Sequence, residues 1–171
     1  MRKQAGRLLA GVAVAGVMAA AGTWSSAVQA DTAQANVAVS ASVAANCLVT
    51  GGSVSFGAYD PLGANESANL DASGSFSIRC TRGVTAQVGL GTGANYSAGR
   101  RMQSGSSGNY LGYELYSDSN RTVVWNNSTN RYGYTAANKS ATSLTIYGRV
   151  PSGQDPVAGT YDDTVVAVAE F

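Results

Sequence analysis

The sequence predicts an all-β protein, an antiparallel sandwich of immunoglobulin-like type. Three observations point there. Apolar and polar residues alternate at period two in one run after another, the pattern of half-buried strands. Clusters of Gly, Asn, Asp and Ser separate the runs and leave about seven or eight short strands with regular turn signals. Almost no stretch shows the 3.6-residue period of an amphipathic helix. An up-and-down barrel is the competing architecture for the same pattern.

The N-terminal 30 residues stand apart from this pattern. Arg2, Lys3 and Arg7 precede a small-apolar stretch from Leu8 to about Ala21, and Val28-Gln29-Ala30 has the small-x-small form of a cleavage site before Asp31. The apolar stretch is rich in Ala and Gly and shorter than the ~20 residues a membrane span needs. Residues 1–30 are therefore read as a cleaved export signal. The remaining 141 residues make one domain's worth of chain.

The first alternating run places Ala35, Val37, Val39, Ala41 and Val43 on one side, with Gln34, Asn36, Ser40 and Ser42 on the other. Val54, Phe56 and Ala58 form a short strand closed by Asp60-Pro61. Phe76, Ile78 and Cys80 alternate with Ser75, Ser77 and Arg79, and Ala86, Val88 and Leu90 follow after Arg82-Gly83. Leu111, Tyr113 and Leu115 form the next strand, and Ser117 to Asn120 turns the chain into a strand over Thr122–Trp125. A polar loop is expected over Asn126–Lys139, holding Tyr132 and Tyr134. Leu144, Ile146 and Gly148 lie on a strand that Pro151 ends.

The last predicted strand begins near Gly159. It alternates Tyr161, Val165, Ala167, Ala169 and Phe171 against Asp162, Thr164, Val166, Val168 and Glu170. No later strand follows to pair with it. A rim strand exposes a row of unpaired N–H and C=O groups that proteins normally blunt or cover. A half-buried final strand therefore implies a partner strand from another chain.

Composition removes several function classes. Loss of residues 1–30 takes three of eleven basic residues and none of ten acidic ones, leaving a net charge of −2. Such a chain has no electrostatic footprint for nucleic acid. It contains no histidine, so His-based triads and most metal sites are excluded, and no cofactor site is expected. Asp162 and Asp163 point to opposite faces of a strand and cannot share one site, so Asp163 is read as a strand-end residue. Gly89, Gly91 and Gly93 resemble a phosphate loop only superficially, without a following helix or a P-loop lysine. Arg100-Arg101 reads as a solvated hairpin flank. Tyr96, Tyr110, Tyr132 and Tyr134 are placed in loops, while Tyr113 is in register with the core. No enzyme is indicated. Cys47 and Cys80, both in the exported part, most simply make one disulfide.

Several stretches together resemble the spore coat protein U domain family, which includes subunits of archaic chaperone–usher pili. They are NCLVTGGSVSFGAYDPL, LDASGSFSIRCTRG, RRMQSGSSGNYLGYELYSD, RTVVW, SLTIYGRVPSGQ and PVAGTYDDTVVAVAEF, in order along the exported chain. The resemblance implies an immunoglobulin-like sandwich lacking its last strand, completed by a donor strand from another molecule. It divides the chain into residues 31–45 as donor-strand segment and 46–171 as sandwich domain. The donor residues are then Ala35, Val37, Val39, Ala41 and Val43. The acceptor groove, where a periplasmic chaperone also docks, is placed at Val165, Ala167, Ala169 and Phe171.

On that resemblance the chain is a structural shaft subunit of a cell-surface pilus serving adhesion and biofilm formation. Its expected partners are its own copies, a periplasmic chaperone and an outer-membrane usher. A coat protein of spore or cell surface, or a sugar-binding tip adhesin, are the alternatives. One domain plus a donor segment favours the shaft layout over the two-domain layout of a tip adhesin.

Overall fold

The computed structural model describes residues 29–105 and 108–171. The predicted signal segment lies outside the described residues, apart from Gln29 and Ala30. Two compact units divide the chain, one ending at Ser40 and one spanning Ala41–Phe171. In the first, residues 29–40 are exposed and have no helix or strand.

The second unit consists of antiparallel sheets. Strands β1 (Cys47–Ser53), β2 (Leu70–Cys80), β8 (Thr142–Val150) and β6 (Glu114–Tyr116) form one sheet in the order β1-β2-β8-β6. Strands β7 (Tyr132–Thr135), β3 (Thr85–Leu90) and β9 (Ala167–Glu170) form another in the order β7-β3-β9. A ribbon of β4 (Arg101–Gln103) and β5 (Tyr110–Gly112) stands beside them. One turn of helix, α1 (Ala64–Ser67), interrupts the β1–β2 connection.

The inward residues of both sheets meet in one core. Phe76, Ile78 and Cys80 of β2 and Leu144, Ile146 and Val150 of β8 face Ala86, Val88 and Leu90 of β3. Trp125 is the largest fully buried side chain; its indole N–H donates to the Val88 carbonyl at 2.8 Å, which satisfies its one polar group. Cys47 and Cys80 are register partners at adjoining ends of β1 and β2, and a disulfide joins them. Thr81 holds the chain just before the bridge, with its N–H on the Asn46 carbonyl and its hydroxyl on that of Ala44.

Several expectations need correction. Val54–Ala58 is not a strand. A bulge between Thr50 and Ser53 shifts the register of β1, its pairing stops at Ser53↔Ser75, and the chain then folds over the sheet. A Cβ on Gly148 would lie 2.7 Å from the Phe56 ring, so a glycine in β8 makes room for that crossing. Thr122–Trp125 keeps only a single bridge, Val124 to Tyr116. The polar loop over 126–139 contains β7, which puts Tyr132 and Tyr134 on a strand, and Tyr110 lies on β5. The run from Leu111 to Leu115 is split at Tyr113, its first half in the ribbon and its second in the large sheet. The final strand begins at Ala167, not near Gly159.

Arg100 is the largest departure. It is 5% exposed, with its guanidinium donating to the carbonyls of Leu90, Gly91 and Trp125 and paired with Glu114. A buried arginine is tolerable where its donors are all engaged. Carbonyls at the end of β3 and at Trp125 and the Glu114 carboxylate of β6 engage all three of its nitrogens, an arrangement invisible to local pattern.

Candidate functional site

The two sheets leave one side of the sandwich open. β1 is an edge of the larger sheet and β9 an edge of the smaller, so each has hydrogen-bonding groups without a ladder partner on its outer side. Between them runs a groove of about 520 Å³. Val49 and Gly51–Val54 form one wall, and Tyr161, Val165 and Ala167 the other. Its floor comes from the core layer: Phe76, Leu90, Leu115 and Ile146. A second hollow of about 730 Å³ shares Val54, Phe56, Met102 and Tyr161 with it and extends towards Pro156–Thr160.

The walls are strand-like beyond the strands themselves. Tyr161, Val165, Ala167 and Ala169 are half-buried and pack against the core, while Asp162, Thr164 and Val166 are exposed. On the opposite wall Val54, Phe56 and Tyr59 turn inward and the residues between them outward. Phe56 packs against Tyr113 with ring centroids 6.0 Å apart. Tyr113 sits at the groove with its hydroxyl on the Asp163 carboxylate at 2.6 Å. Burial first, and then that hydrogen bond, push its phenol well above the ordinary range.

Of the acceptor residues read from sequence, Val165 and Ala167 line the groove, and Ala169 packs against the core. Phe171 lies past the end of β9 and is 58% exposed, away from the lining. Val37, Val39 and Val43 of the donor run are 83%, 91% and 84% exposed. They are large apolar side chains with nothing covering them. Among the described residues no group of three or more His, Cys, Asp or Glu is placed to hold a metal ion.

The floor and the β1 wall were not predicted. Their residues come from β1, β2, β3, β6 and β8, which only the topology brings together. The one local trace was glycine. A Cβ on Gly52 would meet the Ser75 carbonyl at 1.7 Å, and one on Gly74 the Ser53 carbonyl at 1.9 Å. These glycines permit the close crossing where β1 leaves its sheet.

Residues 33–168 match the Spore Coat Protein U domain family. Protein U of Myxococcus xanthus is 38% identical over 173 residues, covering 93% of this chain and 97% of that one. Among solved structures, the fold is similar to a chain of the CsuC–CsuE chaperone–tip adhesion subunit pre-assembly complex from archaic chaperone–usher Csu pili of Acinetobacter baumannii. That likeness has a TM-score of 0.56 at 22% identity and covers 75% of this chain, but only 40% of the solved one. At that identity the likeness is one of fold.

Proposed function

Because the chain belongs to the Spore Coat Protein U domain family, we propose that it is a fibre subunit built to be completed by a strand from another copy. The carrying observation is the groove between the β1 and β9 edges, floored by apolar core side chains and open along a side that a further strand would close. Addition of a strand to such an edge supplies main-chain hydrogen bonds, and alternate side chains fill pockets; donor-strand complementation in pilins is a standard instance. Ala35, Val37, Val39, Ala41 and Val43 offer small apolar side chains at the required spacing. Each valine fully buried there would contribute roughly 1.5–3 kcal/mol.

In this reading the chain is exported with loss of residues 1–30. A periplasmic chaperone holds the groove, and an outer-membrane usher exchanges that strand for residues 31–45 of the next subunit. The product is the shaft of a surface pilus, serving adhesion and biofilm formation. The chaperone complex of the solved fold relative supports the first partner. No chemical step is involved, and no cofactor.

A coat-protein reading is favoured by the 38% identity to Protein U and by the family's description. It uses the same groove in a different setting. Deletion of residues 31–43, expressed with a cognate chaperone and usher, separates the outcomes. The expected product is a soluble chaperone-bound subunit that caps a fibre and cannot extend it. Fibres of normal length from the deletion overturn the donor-strand reading. Surface assembly of the intact chain without any usher favours the coat.

A further inference from the structure

The glycine-rich stretch after β3 is an anion-binding loop whose anion belongs to the chain itself. Gly93 has φ 93°, a conformation that suits glycine, and a Cβ there would lie 2.1 Å from the Asp163 carboxylate. The next two backbone N–H groups, of Ala94 and Asn95, converge on Asp163 Oδ1 at 2.9 and 3.2 Å. Successive N–H groups of this kind form a nest for negative charge. The Asn95 side-chain amide and the Thr164 N–H reach the same oxygen, at 3.2 and 2.9 Å, and the Tyr113 hydroxyl takes Oδ2. Charge-assisted bonds of this sort are stronger than neutral ones.

The position of this knot gives it a use. Residues 161–166 form a groove wall but precede β9 and belong to no strand. Their backbone is held by Asp162, exchanging bonds with Gln103, and by the carbonyls of Thr164 and Val166, which accept from Ala94 and Gly91. On the groove side they face open space. An edge braced on one side only is prone to local opening.

We infer that Asp163 is a positioning residue: its carboxylate, seated in the Ala94–Asn95 nest, holds the 161–166 wall extended before any strand arrives. An incoming strand then meets a prebuilt edge and does not have to order it, which lowers the cost of docking. The inference rests on the strand-acceptor reading for its purpose, but the wall's rigidity is measurable without it.

The test uses the oxidised exported chain and its Asp163→Ala, Asp163→Asn and Tyr113→Phe variants. Hydrogen exchange is followed at the amides of Ala94, Asn95, Asp162 and Thr164, with those of β2 and β8 as reference. Asp163→Ala should exchange roughly tenfold faster at the wall with the reference unmoved. Asp163→Asn keeps one acceptor oxygen and should fall between. Tyr113→Phe keeps the ring against Phe56 and should show a rise of about two- to threefold. A synthetic peptide of residues 31–45 should associate roughly tenfold more slowly with Asp163→Ala, with dissociation little changed.

Parental exchange at the wall amides in Asp163→Ala overturns the inference, whatever the peptide does. Should Asp163→Ala fail to fold, parental exchange in both milder variants overturns it equally. A parent chain indifferent to the peptide, together with a loosened wall in the variant, overturns the strand-acceptor reading and leaves the bracing role standing.

Discussion

β2 and the segment that runs from Tyr161 into β9 both alternate in burial and end in different environments. β2 pairs with β8 from Leu70↔Val150 to Ile78↔Thr142 and with β1 on its other side. β9 pairs with β3 alone, over Gln87–Leu90. Phe76 and Ile78 of β2 are 4% and 0% exposed, whereas Val165, Ala167 and Ala169 are only half-buried. Period two determines which side of a strand faces inward. Whether another strand lies beside it is decided elsewhere, and for β9 that neighbour is missing. The difference between central and rim strands is thus a measure of what the groove lacks.

The sharpest way to break this comparison is to truncate one side chain in each place. Ile78→Ala removes a side chain with no exposure and should cost about 4 kcal/mol, since the packed surroundings collapse only partly around the cavity. Val165→Ala should cost the unfilled subunit under about 1 kcal/mol, because its side chain still faces the open groove. Urea unfolding of both variants checks this. Equal losses would mean that the rim is as fully packed as the centre, and the groove would not be an unfilled site.

The disulfide sharpens the comparison at a place where rim and centre are joined. Cys47 starts β1, an edge, and Cys80 ends β2, a central strand. Cys47→Ser, studied under oxidising conditions, should lose roughly 3.8 kcal/mol, the chain-entropy value for a loop of this length. A lowered thermal midpoint is the expected reading. A midpoint equal to the parent's would show that β1 is held by its ladder alone.

How much could be read in advance follows from the same physics. Phe76, Ile78, Ala86, Val88, Leu144 and Ile146 were legible as core because each faces inward from a strand with a neighbour on either side, β2, β3 or β8. Val54–Ala58 showed the same alternation and is no strand, since the bulge before it and the glycine at 148 turn it across the sheet. Tyr132 and Tyr134 were hidden by polar neighbours, although pairing with β3 makes their segment a strand. Asp163 and Arg100 were misread for one reason: most of their partners, backbone and side-chain groups alike, come from segments that only the fold brings near, and local side-chain spacing does not register these.

The smallest effect is expected on the outer face of the central pair. Asp71 lies opposite Arg149 in register, and the guanidinium grips the carboxylate with two bonds of 2.7 and 2.8 Å. Arg121 stands 3.2 Å away on the other side. The hydrogen bonds from Arg149, opposed by partial burial and helped by the charge of Arg121, hold the Asp71 carboxyl below its usual range. A folded-state value below the unfolded one, about 3.9, gives stability that is complete above that pH. It is lost as the pH falls through the lower folded-state value. The pair is open to solvent, so screening keeps the contribution under about 1 kcal/mol. Asp71→Asn should therefore be slightly less stable than the parent at neutral pH, with the gap closing in strong acid and shrinking in high salt. A gap that persists at low pH would assign the effect to packing, and the outer face would then contribute in the same way as the inner one.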